Sequence, residues 1–194
     1  MRMDARIWER YSLWPIQLRV LTGAGTTLWG SGGEEEDRLL VVEGHIALFQ
    51  SEASLRDFVR HGQSCNLTAT SGYGRLQEAD GPVLTATWGP VKRYDLVTIR
   101  HWLEAPRWSW SLARCSTVLD GLHLLWDMAR SLGEAAVIEQ LQRGTNPLGS
   151  FMDALTFLDE RERQDTLSRW ARSAVREAYE EILQTLSERC VIED

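Results

Sequence analysis

Lysine is almost missing from this 194-residue sequence: Lys92 stands alone among 21 basic residues, and arginine supplies the rest. Asparagine occurs only at Asn66 and Asn146. The two scarcities together read as the mark of a GC-rich genome. Arginines selected for bidentate anion binding would cluster, whereas these are scattered among acids. Cysteine is also sparse. Cys65, Cys115 and Cys190 are odd in number and lie in no C-x-x-C arrangement, which excludes a disulfide framework or a thiolate metal motif. With no signal-peptide-like apolar run near Met1, the expectation is reduced thiols in the cytoplasm. No segment approaches the ~20 continuous apolar residues of a membrane span. Positive charge is outweighed as well, and a net charge of -7 excludes a general binder of nucleic acid or anionic membrane, which needs clustered cations.

What is present is the material of a folded domain. Residues 115–133, CSTVLDGLHLLWDMARSLG, have the clearest pattern: Val118, Leu119, Leu122, Leu125, Trp126, Ala129 and Leu132 recur at three- and four-residue steps, predicting a central amphipathic helix that Gly133 ends. Upstream, residues 13–30 read as a β-hairpin turning at Thr22–Gly25. Residues 38–50 read as a second hairpin about Glu43-Gly44. Between them SGGEEEDR, residues 31–38, reads as a solvated acidic connector. Ser51 is a candidate N-cap for a helix bearing Leu55, Phe58 and Val59 and stopping at Gly62.

Residues 63–90 are irregular in pattern, with Ser71-Gly72-Tyr73-Gly74 read as a turn and a short strand at 83–88. This region is the expected carrier of a binding loop. Asp95 caps a helix that Pro106 closes. A short helix spans residues 134–142, Thr145–Gly149 is a turn, and helical spacing resumes from Phe151 to Leu186 with a fresh cap at Asp159. The expectation is α+β: an N-terminal antiparallel sheet of four to five strands with a helical C-terminal half. It forms a single domain over residues 1–194, with a sheet-rich part at 12–93 containing one helix and a helical part at 94–194.

Asp120, His123 and Asp127 share the polar face of the central helix and are the candidate catalytic residues, a carboxylate beside a histidine being able to orient a general base. The spacing matches no metal motif, so neither a metal site nor a cofactor is expected. Trp108 and Trp110, one residue apart, and the acidic run Glu34, Glu35, Glu36 and Asp37 are the candidate binding residues. Exposed indoles anchor interfaces, and the carboxylates would gather a basic partner. Nine tryptophans either fill the core or line a cavity.

His45–Arg60, Tyr94–Leu103 and Cys115–Gly133, with their ALF hairpin, S-x-x-x-L-x-x-F-V helix and L-L-W-D-M-A helix, resemble a group of uncharacterised actinobacterial proteins sometimes labelled primosomal-protein-like. The resemblance implies a cytoplasmic α+β protein and no established activity.

Two functions fit these residues. One is a non-catalytic protein-interaction module of the immunity, antitoxin-like or accessory type, with a protein partner. The other is a small cofactor-independent enzyme of bacterial specialised metabolism, a cyclase, isomerase or hydrolase, with a small-molecule ligand in a Trp-lined pocket. The sequence favours the module and leaves open whether the protein is an enzyme.

Overall fold

The computed structural model describes residues 10–32, 35–78, 92–105, 111–142, 144, 146–169 and 172–194. The fold is α+β, and the chain divides into two compact units: Met1–Tyr94 with Glu188–Asp194, and Asp95–Ser187.

The first unit holds the N-terminal sheet that the sequence predicts with four to five antiparallel strands; it is extended by further strands and made mixed by one parallel pair. Among the described residues it has seven strands: β1 (Leu13–Val20), β2 (Gly23–Gly32), β3 (Glu35–Leu39), β4 (Val41–Val42), β5 (His45–Phe49), β6 (Lys92–Asp95) and β7 (Cys190–Glu193). β1 and β2 form a hairpin from Leu13↔Gly30 to Val20↔Gly23. Its loop is therefore Leu21-Thr22, tighter than the Thr22–Gly25 turn expected. Gly25 serves another purpose. A Cβ there would lie 2.9 Å from both the Leu48 Cβ and the Phe49 carbonyl oxygen, so the absent side chain lets β2 approach β5.

The acidic connector is a strand as well. β3 pairs with β2 through Gly32↔Glu35, Gly30↔Arg38 and Trp29↔Leu39. Backbone pairing overrides the preference of adjacent carboxylates for a loop, because ladder hydrogen bonds do not depend on side-chain type. β4 and β5 form the second hairpin, with Val42↔His45 closing a two-residue loop. Glu43 (φ 49°) and Gly44 (φ 79°) both have positive φ, as a type I′ turn requires.

Two helices cover one side of this sheet. α1 (Glu52–Arg60) begins where the Ser51 hydroxyl accepts from the Ser54 N–H at 3.0 Å, and it buries Leu55, Phe58 and Val59. After a 3-10 turn at Asn66–Ala69 comes α2 (Ser71–Gln77), capped by the Thr70 hydroxyl. The sequence reads Ser71–Gly74 as a turn; it is the first turn of this helix, and Gly72 is there for close packing. The core between helices and sheet is built from Leu13, Leu28, Ala47, Phe49, Phe58 and Tyr73 among others. The short strand expected at 83–88 lies outside the described residues.

The second unit is helical. α3 (Leu96–Glu104) is capped by Asp95, whose Oδ1 accepts from the Thr98 N–H at 2.8 Å. α4 (Leu112–Leu132) is the central helix and ends at Gly133 with φ 72°. α5 (Ala135–Leu141), α6 (Pro147–Phe157), α7 (Glu160–Arg169) and α8 (Arg172–Ser187) follow. The expected turn at 145–149 is instead the start of α6. Asn146 Oδ1 accepts from the Gly149 N–H at 2.9 Å, and Pro147 occupies the first turn, where its missing N–H costs nothing.

α4 packs on α3, α5, α6 and α8. Its buried surface exceeds one stripe, since Cys115, Gly121, Leu124 and Met128 join Val118, Leu122, Leu125 and Ala129. At Gly121 the α3 side chains Ile99 and Leu96 fill the place of a Cβ, so the glycine permits the helix contact.

The chain then returns to the first unit. β7 pairs with β5 in parallel, from Ile46↔Cys190 to Phe49↔Glu193. A parallel partner requires a long crossover, and residues 95–187 lie within that connection. The sequence pattern predicts no strand at Cys190–Glu193.

Candidate functional site

The residues proposed from sequence are distributed as follows. Asp120 and Asp127 are half-buried and His123 is exposed on α4. Among the described residues no three His, Cys, Asp or Glu side chains are grouped to hold a metal ion. Glu35 and Glu36 belong to β3, and Asp37 in the same strand is half-buried. Trp108, Trp110 and Glu34 lie outside the described residues.

The cysteines are free, with Cys115 and Cys190 buried and Cys65 half-buried. Burial pushes the Cys65 thiol up, and pushes Cys190 up to about 12. Both are therefore protonated thiols at neutral pH and poor nucleophiles. In the helical unit, the hydrogen bond from His101, and after it the charge of Arg100, hold the Glu104 carboxyl below its usual range. Arg100 also pairs with Glu180, and the Arg114 guanidinium stacks 4.8 Å above the Trp102 ring. These contacts tie α3 to α4 and to α8.

A different place stands out: the strand β7 and the sheet margin around it. Val191 and Ile192 are each 40% exposed, although both are β-branched residues in a strand. β7 pairs with β5 and with no other described strand. Its Ile192 side chain closes over Gly23, whose missing Cβ leaves the space.

Two hollows flank Glu193. The smaller, about 90 Å³, is lined by Val42, Glu43, His45, Ala47, Val191 and Glu193. The larger, about 270 Å³, lies against Phe49 and Phe58, whose rings meet at a 55° tilt with centroids 5.2 Å apart. Asp57, Glu193 and Asp194 edge the larger hollow. The parallel register places Val191 beside Ala47 and Glu193 beside Phe49, so these four side chains share one sheet face.

The electrostatics of the margin are acidic. Asp57 lies 3.7 Å from Arg60, an exposed pair of the kind that contributes little. Asp194 accepts a hydrogen bond from Gln50 at 2.8 Å, and Arg189 donates to the Gly44 carbonyl at 2.9 Å. His61 Nδ1 lies 2.6 Å from the Asp57 carbonyl oxygen and His45 Nδ1 3.1 Å from that of Glu43. Sequence reasoning missed this margin. Its one readable signal was the β-branched pair Val191-Ile192 after a helical run, a pattern too short to assign alone.

With the two units and this margin described, comparison with known proteins gives the class. The sequence profile of the SatS C-terminal domain matches residues 13–187, and the chain belongs to that family. This overturns the resemblance to the primosomal-protein-like group, which rested on short helical and hairpin patterns shared by many α+β proteins. A crystal structure of a SatS C-terminal domain in complex with bromine has the same fold, with a TM-score of 0.68 and 17% identity over 98% of each chain. No curated protein matches the sequence significantly. Among the described residues no helix is long and apolar enough to cross a membrane.

Proposed function

We propose that the chain is a non-catalytic protein-interaction module of the immunity, antitoxin-like or accessory type, and that it contacts its partner through the β7 margin. The observation carrying this reading is the exposure of Val191 and Ile192 on a strand at the limit of the described sheet. Adjacent exposed β-branched residues on a terminal strand are an association liability that proteins normally blunt with charge or cover, and they are retained where a partner covers them. The hollows beside them support the same reading, since roughly 300–1,000 Å³ is usual for a small-molecule site and each of these is smaller. Three free cysteines support a reducing compartment, and we place the protein in the cytoplasm.

The test is purification of the tagged chain from its native cell at modest salt, with quantitative mass spectrometry, beside the Val191→Asp/Ile192→Asp variant. A protein recovered in stoichiometric amount with the native chain and lost from the folded variant supports the module. Recovery of no stoichiometric protein, or equal retention by the variant, sinks it.

A further inference from the structure

We propose that the β7 margin takes an extended polypeptide segment in which an apolar residue is followed two positions later by an arginine or lysine. This rests on the protein-interaction reading and adds to it the chemistry of the partner. Side chains two apart in an extended segment lie on one side, separated by roughly 6.5–7 Å, the same spacing that sets Ala47 beside Val191 and Phe49 beside Glu193 on this face. An extended segment laid over this face along β5 and β7 therefore presents one side chain to each hollow in turn.

The hollows differ in what they accept. The one at Val42, Ala47 and Val191 is small, shares its lining with Glu43, His45 and Glu193, and has room for a valine- or alanine-sized group. The one at Phe49 and Phe58 is three times larger and edged by three carboxylates, Asp57, Glu193 and Asp194. A long cationic side chain matches this combination. Its head group meets the acids while its methylene stem spans the hollow, the usual arrangement for an amphipathic lysine or arginine. An acidic segment would bring like charges together there. Charge complementarity thus selects the occupant.

Three fluorescein-labelled decapeptides test the inference by fluorescence anisotropy: a valine–arginine repeat, a valine–glutamate repeat and a serine–arginine repeat. The valine–arginine peptide is expected to bind at least about tenfold more tightly than either of the others, and to weaken as salt rises. In Asp57→Asn/Glu193→Gln its affinity is expected to fall about tenfold or more with the thermal unfolding midpoint unchanged. Asp57 is exposed and Glu193 half-buried, so neither change opens the core.

Equal binding of the valine–glutamate peptide, or indifference to the double substitution, overturns the inference. If Val191→Asp abolishes binding of both valine peptides alike, the basic occupant is wrong and the interaction margin stands. If no peptide binds, the inference fails, and the co-purification experiment alone decides the module.

Discussion

Gly72 lies against the backbone of Tyr11 so closely that a Cβ on Gly72 would stand 1.7 Å from the Tyr11 carbonyl oxygen. The obstacle is main chain, which cannot rotate aside as a side-chain tip can. Gly72→Ala is expected to destabilise by about 1–3 kcal/mol or more through overpacking, despite the better helix propensity of alanine. Urea unfolding checks it. Gly74→Ala is the control, since a Cβ there meets nothing within 4 Å, and it is expected to be neutral or stabilising.

Asn66 replaces a missing strand neighbour. Its Nδ2 donates to the Leu39 carbonyl and its Oδ1 accepts from the Val41 N–H, each at 2.8 Å, bridging the step from β3 to β4. Asn66→Asp keeps the acceptor and sets a carboxylate oxygen against the Leu39 carbonyl. The expected cost is about 1–3 kcal/mol at neutral pH, smaller in acid where the protonated side chain again donates. Stability that is the same at pH 7 and at low pH relative to the native chain would count against the bridge.

In the helical unit the buried Tyr179 hydroxyl donates to the Leu96 carbonyl at 2.9 Å, and burial pushes its pKa up. Tyr179→Phe removes that one bond and keeps the ring. A loss of about 0.5–1.5 kcal/mol is expected in denaturant unfolding. Tyr179→Ala removes the ring as well and should cost about 3–5 kcal/mol.

The Glu43-Gly44 turn is limited by backbone strain, because a Cβ at Gly44 meets only the Arg189 guanidinium, at 3.9 Å. Gly44→Val is expected to cost about 1–2 kcal/mol for its left-handed φ. Glu43→Asn should stabilise slightly, since asparagine tolerates that region better. Thermal unfolding of the two variants should move in opposite directions.

The Cys190 thiol gives the alkaline behaviour its sign. Burial raises its folded pKa to about 12 from an ordinary 9.0, so the native state holds this proton more tightly than the unfolded chain. Its contribution is complete below pH 9 and declines as pH rises towards 12. Cys190→Val should therefore lose less stability than the native chain across that window. Parallel declines in the two proteins would remove Cys190 as the cause.

Local features of this fold were legible in the sequence because their causes are local. Ser51, Asp95 and Asp159 cap the helices assigned to them through bonds to N–H groups three residues on, and Gly133 ends the central helix. The β3 and β7 strands were not legible, because their partners are remote or their residues unlike strand formers. Glu35–Leu39 reads as a charged loop until Gly32 and Gly30 supply its ladder. Cys190–Glu193 has four residues, too few for a period, and its partner β5 is distant in sequence. The β7 margin was hidden for the same reason, since Phe49, Asp57 and Glu193 come together only after that long-range pairing. Gly72 and Gly25 were misread as turn glycines because a close approach of backbone leaves no trace in sequence beyond the glycine itself.

The parallel pairing of β5 with β7 also orders events during synthesis. Residues 95–187 emerge from the ribosome before Cys190, so β5 waits for its parallel neighbour while the whole helical unit is made. Until then the outward N–H and C=O groups along Ile46–Phe49 must be met by water. Pairings of such sequence separation are slow to form, and this one is available only once translation has passed residue 190. The completed sheet margin therefore registers that the chain has been made through β7, and a nascent or truncated chain lacks the surface on which Val191 and Glu193 are presented.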